Sequence, residues 1–178
     1  WEGSTISVDY KHSTLSQLVK FNLMSYDQIT KTNIFLTTRN PYAWVLSFYL
    51  FQKKCYDIFQ KNGKSSPDWL LARIEKISEV ASKGFDDYLE SEFAGRRNSV
   101  FMYFVAGFEE LKNLKIIQIE KAQHEISKYF DELRINARIR VPHHNLTLSR
   151  PIDYREYYSE KGRNLVKETF KHDFDLLG

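Results

Sequence analysis

Two short apolar runs stand out in a chain whose apolar residues otherwise recur every three or four positions. Ile34-Phe35-Leu36-Thr37-Thr38, entered from Asn33, is rich in β-formers and lacks polar alternation. It predicts a strand of the parallel type, buried on both faces. Leu114 to Ile119 predicts a second strand. Around them the spacing is helical. Leu15, Leu18, Val19 and Leu23 follow Ser13-Thr14, either of which can cap a helix start. Arg39-Asn40-Pro41 breaks the first strand, and Pro41 stands where a first helical turn tolerates it. The stretch from Tyr42 to about Gln60 repeats at Val45 and Tyr49 and at Leu46 and Leu50, then stops near Asn62-Gly63. After the Lys64-Ser65-Ser66 loop, Ser66-Pro67-Asp68 opens a helix to about Ser82, with Leu70, Leu71, Ile74 and Ile77 on one face. Gly84 separates it from a short helix over Phe85 to Phe93. Gln123 to Leu133 reads as a helix, Asn136 to Pro151 as a polar, basic loop, and Tyr154 to Leu177 as helical with a break at Gly162. The first ten residues show no clear period. Helices alternating with short apolar strands predict an α/β fold with a parallel sheet.

Composition narrows the class. The 178 residues suit one domain, and 42% hydrophobic with 15% aromatic residues is a globular composition. The formal net charge of +3 fits an anionic ligand and is too small for wholesale nucleic-acid binding. Cys55 is the only cysteine, so no internal disulfide forms, which points to a reducing compartment. It sits on the Tyr42 helix with no histidine near it in sequence, as a buried structural thiol would. The longest apolar-rich stretch, Tyr42 to Phe51, is too short to span a membrane. The chain opens with Trp1-Glu2 rather than Met, so an upstream segment is expected.

The chemistry concentrates where the first strand meets the Tyr42 helix. Ligands of open α/β sheets bind at the carboxyl ends of the strands, and Arg39 stands at such an end. The helix that follows is expected to aim unpaired N–H groups and its positive dipole end at the same space. Ser47 lies about one and a half turns into that helix, and helical side chains lean toward the N-terminus. A guanidinium fork and a neutral hydroxyl donor together suit a phosphate.

The run Phe35-Leu36-Thr37-Thr38-Arg39-Asn40-Pro41-Tyr42-Ala43-Trp44-Val45-Leu46-Ser47-Phe48-Tyr49 resembles the 3′-phosphate-binding segment of the PAPS-dependent sulfotransferases. That pattern is an apolar strand, Arg-(Asp/Asn)-Pro, a large residue, then Ser and an aromatic. Three other segments resemble carbohydrate sulfotransferases in chain order. They are Tyr10-Lys11-His12-Ser13-Thr14-Leu15, Phe104 to Leu111 (the family's late Val-Gly-x-Glu-Glu-Leu turn), and a tail formed by His144-Asn145-Leu146-Thr147, Tyr154 to Tyr158 and Asp173 to Gly178. The resemblance implies a single sulfotransferase domain over residues 1–178. Its fold would be a P-loop NTPase-like, helix-rich, three-layer fold with a central parallel sheet flanked by helices. It further implies 3′-phosphoadenosine-5′-phosphosulfate (PAPS) as co-substrate without a metal, with Arg39 and Ser47 on its 3′-phosphate and Asn145, Thr147, Ser149 and Arg150 on a late loop over the adenosine phosphate. His12 would be the catalytic base toward a hydroxyl acceptor, a glycan or a small molecule. Glu2 and Asp9 are poorer candidates for that role. The expected compartment is the cytoplasm, as for bacterial relatives, with the Golgi lumen as the alternative if an anchor lies upstream.

One departure stands out. The family opens with a strand and a Pro-Lys-(Thr/Ala)-Gly-(Thr/Ser)-(Thr/Ser) loop for the 5′-phosphosulfate. Gly3-Ser4-Thr5 is only a faint echo of it, so the loop is expected upstream of Trp1. Two rival readings remain. A small-molecule kinase would need Gly-x-x-x-x-Gly-Lys-(Ser/Thr) and an acidic Mg²⁺ ligand at a strand end, where this chain has Arg39. A non-catalytic module binding a nucleotide or an anionic glycan would lack the phosphosulfate loop altogether. His143 and His144 have no ligating neighbours at metal spacing, and His124 and His172 read as surface or cap residues.

Overall fold

The computed structural model describes residues 13–135, 140 and 153–177. Ten α-helices, three short 3₁₀ turns and two strands make up this part. The order is α1 (Leu15–Lys20), α2 (Tyr26–Lys31), β1 (Ile34–Thr38), α3 (Pro41–Asn62), α4 (Asp68–Leu71), α5 (Ile74–Ser82), α6 (Phe85–Phe93), α7 (Val100–Val105), β2 (Leu114–Gln118), α8 (Ala122–Glu132), α9 (Glu160–Thr169) and α10 (Lys171–Leu177). β1 and β2 pair in parallel, Ile34 with Leu114 through Thr38 with Gln118. The protein is thus a helix-rich α/β structure with a small two-stranded parallel sheet.

Both strands lie where the apolar runs placed them, but β1 is not buried on both faces. Its exposure alternates, and Phe35 is 46% exposed. The cause is coverage. α8 packs onto β2 through Ile117, Ala122 and Ile126, and this leaves Phe35 and Thr37 of β1 facing outward.

Local chemistry explains several helix ends. Thr14 caps α1 by accepting the Gln17 N–H at 3.1 Å, and the Gln17 side chain accepts the Thr14 N–H at 2.9 Å. This is a capping box with Gln at the third position. Leu23, expected within α1, lies beyond it. Asn22 takes a left-handed φ of 54°, the Leu23 N–H returns to the Leu18 carbonyl, and the Asn22 N–H returns to the Val19 carbonyl. That 6→1 and 5→2 pair is a Schellman ending, which Asn tolerates. Ser25 and Gln28 form a second capping box at α2, a helix outside the periodic segments, as is α7. The expected helix over 66–82 is two pieces. Arg73 at φ −120° interrupts it, and Leu70 drops into a cluster with Cys55 and Ile77 against α3. Nothing in the residue types at Ala72-Arg73 marks this break.

The main core joins α3, α5, α6 and α9 through Val45, Leu46, Tyr49, Val80, Leu89 and Val166, with Phe170 just past α9. Tyr88 and Tyr158 are buried in it, and burial pushes both phenols up, so they stay neutral hydrogen-bonding groups. The Tyr158 hydroxyl donates to the Tyr42 carbonyl at 2.9 Å and the Tyr49 hydroxyl to the Lys83 carbonyl at 2.9 Å. These bonds bring the otherwise unpaired polar ends of large rings into the core.

Gly162 is not the expected break. It sits in the first turn of α9 and is buried. The stretch expected to be helical over 154–177 is interrupted instead at 157–159, between a 3₁₀ turn (Tyr154–Glu156) and α9, and at Phe170, between α9 and α10. A Cβ at Gly162 would lie 2.8 Å from Leu89 Cδ1 and 2.9 Å from Asp86 Oδ1. The missing side chain therefore sets the close approach of α9 to α6. Gly162→Ala gains about 1 kcal/mol of helix propensity and loses about 1–3 kcal/mol to overpacking, because Leu89 is fully buried and cannot yield. We expect a net loss of about 1–2 kcal/mol by chemical denaturation. A neutral or stabilised variant would show that the two helices separate without cost.

Candidate functional site

The two strands run parallel, so their carboxyl ends lie side by side, and the residues that follow them meet. Arg39 leaves β1 and Glu120 follows β2. Arg39 Nε stands 3.8 Å from Glu120 Oε1, with side chains 43% and 45% exposed. The backbone N–H of Asn40 points to the same oxygen at 3.4 Å. Arg39 therefore sits at the strand end as the sequence placed it, exposed to solvent, with a carboxylate beside it.

The start of α3 differs from expectation. Its first N–H groups are already bonded. Asn40 Oδ1 accepts from Tyr42 N at 3.0 Å and from Ala43 N at 3.5 Å, and the Asn40 carbonyl accepts from Trp44 N at 2.9 Å. Pro41 has no N–H to offer. The Asn of Arg-Asn-Pro is thus the helix cap, and the first turn does not present unpaired donors to an anion. What remains at this corner is the Arg39 guanidinium and the field of a 22-residue helix.

Ser47 lies on α3, half-buried, about 9 Å along the axis from Pro41 at 1.5 Å per residue. Trp44 and Phe48 flank it on one side of the helix. Their rings stack at 5.7 Å between centroids, and Trp44 also meets Phe170 edge-on at 5.8 Å. Phe48 is 44% exposed, whereas Tyr49, on the opposite side, is in the core. Tyr49 is therefore a packing residue. Cys55 is buried against Leu70 and Ile77, and burial pushes its thiol up against the opposing influence of Lys54. It is a packing residue too. His124 and His172 are exposed on α8 and α10. His12, Asn145, Thr147, Ser149 and Arg150 lie outside the described residues.

A cavity of about 560 Å³ opens at the other end of the sheet, before both strands. Tyr26, Thr30, Phe108, Glu110 and Lys112 line it. Its wall includes the Gly107-Phe108-Glu109 turn, in which Gly107 takes φ +82° and its N–H donates to the Glu109 carboxylate at 2.9 Å. Bonds from the backbone N–H groups of Glu109 and Gly107 hold that carboxyl below its usual range. The first glutamate of the Glu-Glu pair is thus a turn-forming residue.

No family model, curated protein or solved structure matches this chain. What the site can do is read from its own side chains. Among the described residues, no group of three or more His, Cys, Asp and Glu side chains gathers around a common point, and no helix is long and apolar enough to cross a membrane. Glu120 is the member of the site that the sequence did not reveal. It follows an apolar strand, as many surface glutamates do, and only the register of β1 on β2 sets it against Arg39.

Proposed function

We propose that the chain is part of a PAPS-dependent sulfotransferase and that the β1–α3 corner holds the 3′-phosphate of the nucleotide. The observation that carries the reading is the junction itself. A parallel strand ends in an exposed Arg39, Asn40 caps the next helix, and Ser47 lies in the second turn. The order of these parts matches the family pattern that the segment resembles. On this reading the two-stranded sheet belongs to a P-loop NTPase-like three-layer fold.

PAPS supplies an activated sulfuryl group. The acceptor hydroxyl oxygen attacks sulfur, the bond from sulfur to the 5′-phosphate oxygen breaks, and the acceptor proton passes to a base. Arg39 and Ser47 serve this step by fixing the far end of the donor, so that its reacting bond is presented in one orientation. His12 is the residue that the resemblance carries to the base role, since an imidazole titrates near working pH. The acceptor class is a carbohydrate hydroxyl, in keeping with the carbohydrate branch that the flanking segments resemble.

Calorimetry with 3′,5′-adenosine bisphosphate tests the reading. A charge-assisted bond to phosphate contributes about 1.5–3 kcal/mol, so Arg39→Ala should weaken binding by roughly 10- to 100-fold. Equal affinity for wild type and variant would remove Arg39 from the site. Binding without sulfuryl transfer to any hydroxyl acceptor would favour the non-catalytic module.

A further inference from the structure

Among the described residues, Glu120 makes two polar contacts at this corner, and both use the same oxygen. Oε1 lies 3.8 Å from Arg39 Nε and 3.4 Å from the Asn40 N–H. A guanidinium and the backbone N–H of the next residue are the donor pair that an oxyanion would use here. Glu120 fills that position loosely, since both separations exceed those of a strong charge-assisted bond. Both side chains are over two-fifths exposed, so the pair is screened and weak.

We infer that Glu120 is a displaceable internal anion, occupying the donors of Arg39 and Asn40 until a phosphate-bearing ligand takes them. The inference rests on the reading that Arg39 binds a phosphate. While the site is empty, the carboxylate keeps the guanidinium at the strand end. When a ligand enters, the carboxylate gives up its place and remains as a like charge nearby. The contacts that Glu120 must give up and the like charge that stays behind both lower ligand affinity. A donor nucleotide and the bisphosphate left after transfer share the same 3′-phosphate, so the same competition also hastens release of the spent nucleotide.

The test replaces charge while keeping shape. Glu120→Gln retains an oxygen for the Asn40 N–H and removes the negative charge. Glu120→Lys reverses the charge. Glu120 is exposed enough that neither change should alter the fold, which thermal unfolding checks. Binding of 3′,5′-adenosine bisphosphate and of inorganic pyrophosphate is then measured by calorimetry at low salt. Glu120→Gln should tighten both ligands by roughly three- to fivefold, the scale of one exposed ion pair. Glu120→Lys should tighten them further, and added salt should shrink both gains. In an Arg39→Ala background the Gln gain should be largely lost. Unchanged or weaker binding in Glu120→Gln, an equal gain without Arg39, or no binding of either probe to any of these proteins would overturn the inference. Tightened pyrophosphate binding with no nucleotide binding would uphold it and remove the nucleotide reading instead.

Discussion

Phe170→Ala should destabilise the protein by about 3–5 kcal/mol, the range for removing a fully buried aromatic ring. Phe170 is wholly inaccessible to solvent and sits at the turn from α9 into α10. Its ring meets Trp44 of α3 at 5.8 Å and Phe93 of α6 at 5.4 Å, both edge-on. One side chain therefore ties three helices that are far apart in the sequence. The backbone at this point is also fixed, since the Phe170 N–H bonds the Val166 carbonyl and its carbonyl accepts from Phe174 N. The surroundings have little freedom to collapse into the space vacated by the ring, so the upper part of the range is expected. Against a total stability of about 5–15 kcal/mol, this removes a large share. The unfolding midpoint should fall by roughly 10 °C. Phe170→Leu, which keeps most of the volume, should lose much less. A loss below about 1 kcal/mol for Phe170→Ala would mean that this junction is not well packed.

Asp173→Ala is the second large effect, by a different mechanism. Asp173 is 2% exposed, and among the described residues no cation pairs with it. Its oxygens instead accept the N–H groups of Val100 at 3.2 Å and Phe101 at 2.9 Å. These are the first two donors of α7, and Ser99 takes the third, from Met102 at 3.0 Å. A residue of the last helix thus caps a helix more than seventy positions earlier. Truncation leaves two N–H groups without acceptors in a buried setting, each costing about 1–3 kcal/mol. We expect a total loss of about 3 kcal/mol, with hydrogen exchange at Val100 and Phe101 accelerating more than elsewhere. Asp175, exposed on the same helix, provides the contrast. Its replacement by alanine should change stability by less than about 0.5 kcal/mol. Equal effects at the two positions would deny Asp173 its capping role.

The sequence was most informative where local chemistry and hydrophobic spacing agree. Both strands, the long α3 with Pro41 in its first turn, and the Thr14 cap follow from residue types acting on their neighbours. Phe35 misled because burial of a strand depends on what covers it, and α8 covers β2 instead. Gly162 misled for a related reason. A glycine signals either flexibility or close approach, and only the position of Leu89 decides between them. The break between α4 and α5 left no trace in the residue types because packing of Leu70 against Cys55 produces it. At the site, Arg39 was legible from its place at a strand end. The role of Asn40 as cap was missed, although Asn before Pro is a recognisable helix start. Glu120 could not have been found without the strand register, which no local pattern encodes.

That register has a kinetic corollary. Ile34 pairs with Leu114, eighty positions later, and the intervening chain includes five helices. Closing a flexible loop of this length costs about 4 kcal/mol of chain entropy, so the pairing is favoured only after the intervening helices have collapsed and shortened the gap. The sheet should be among the last parts to assemble. Arg39 and Glu120, each just past one strand, come within reach of one another only at that final step.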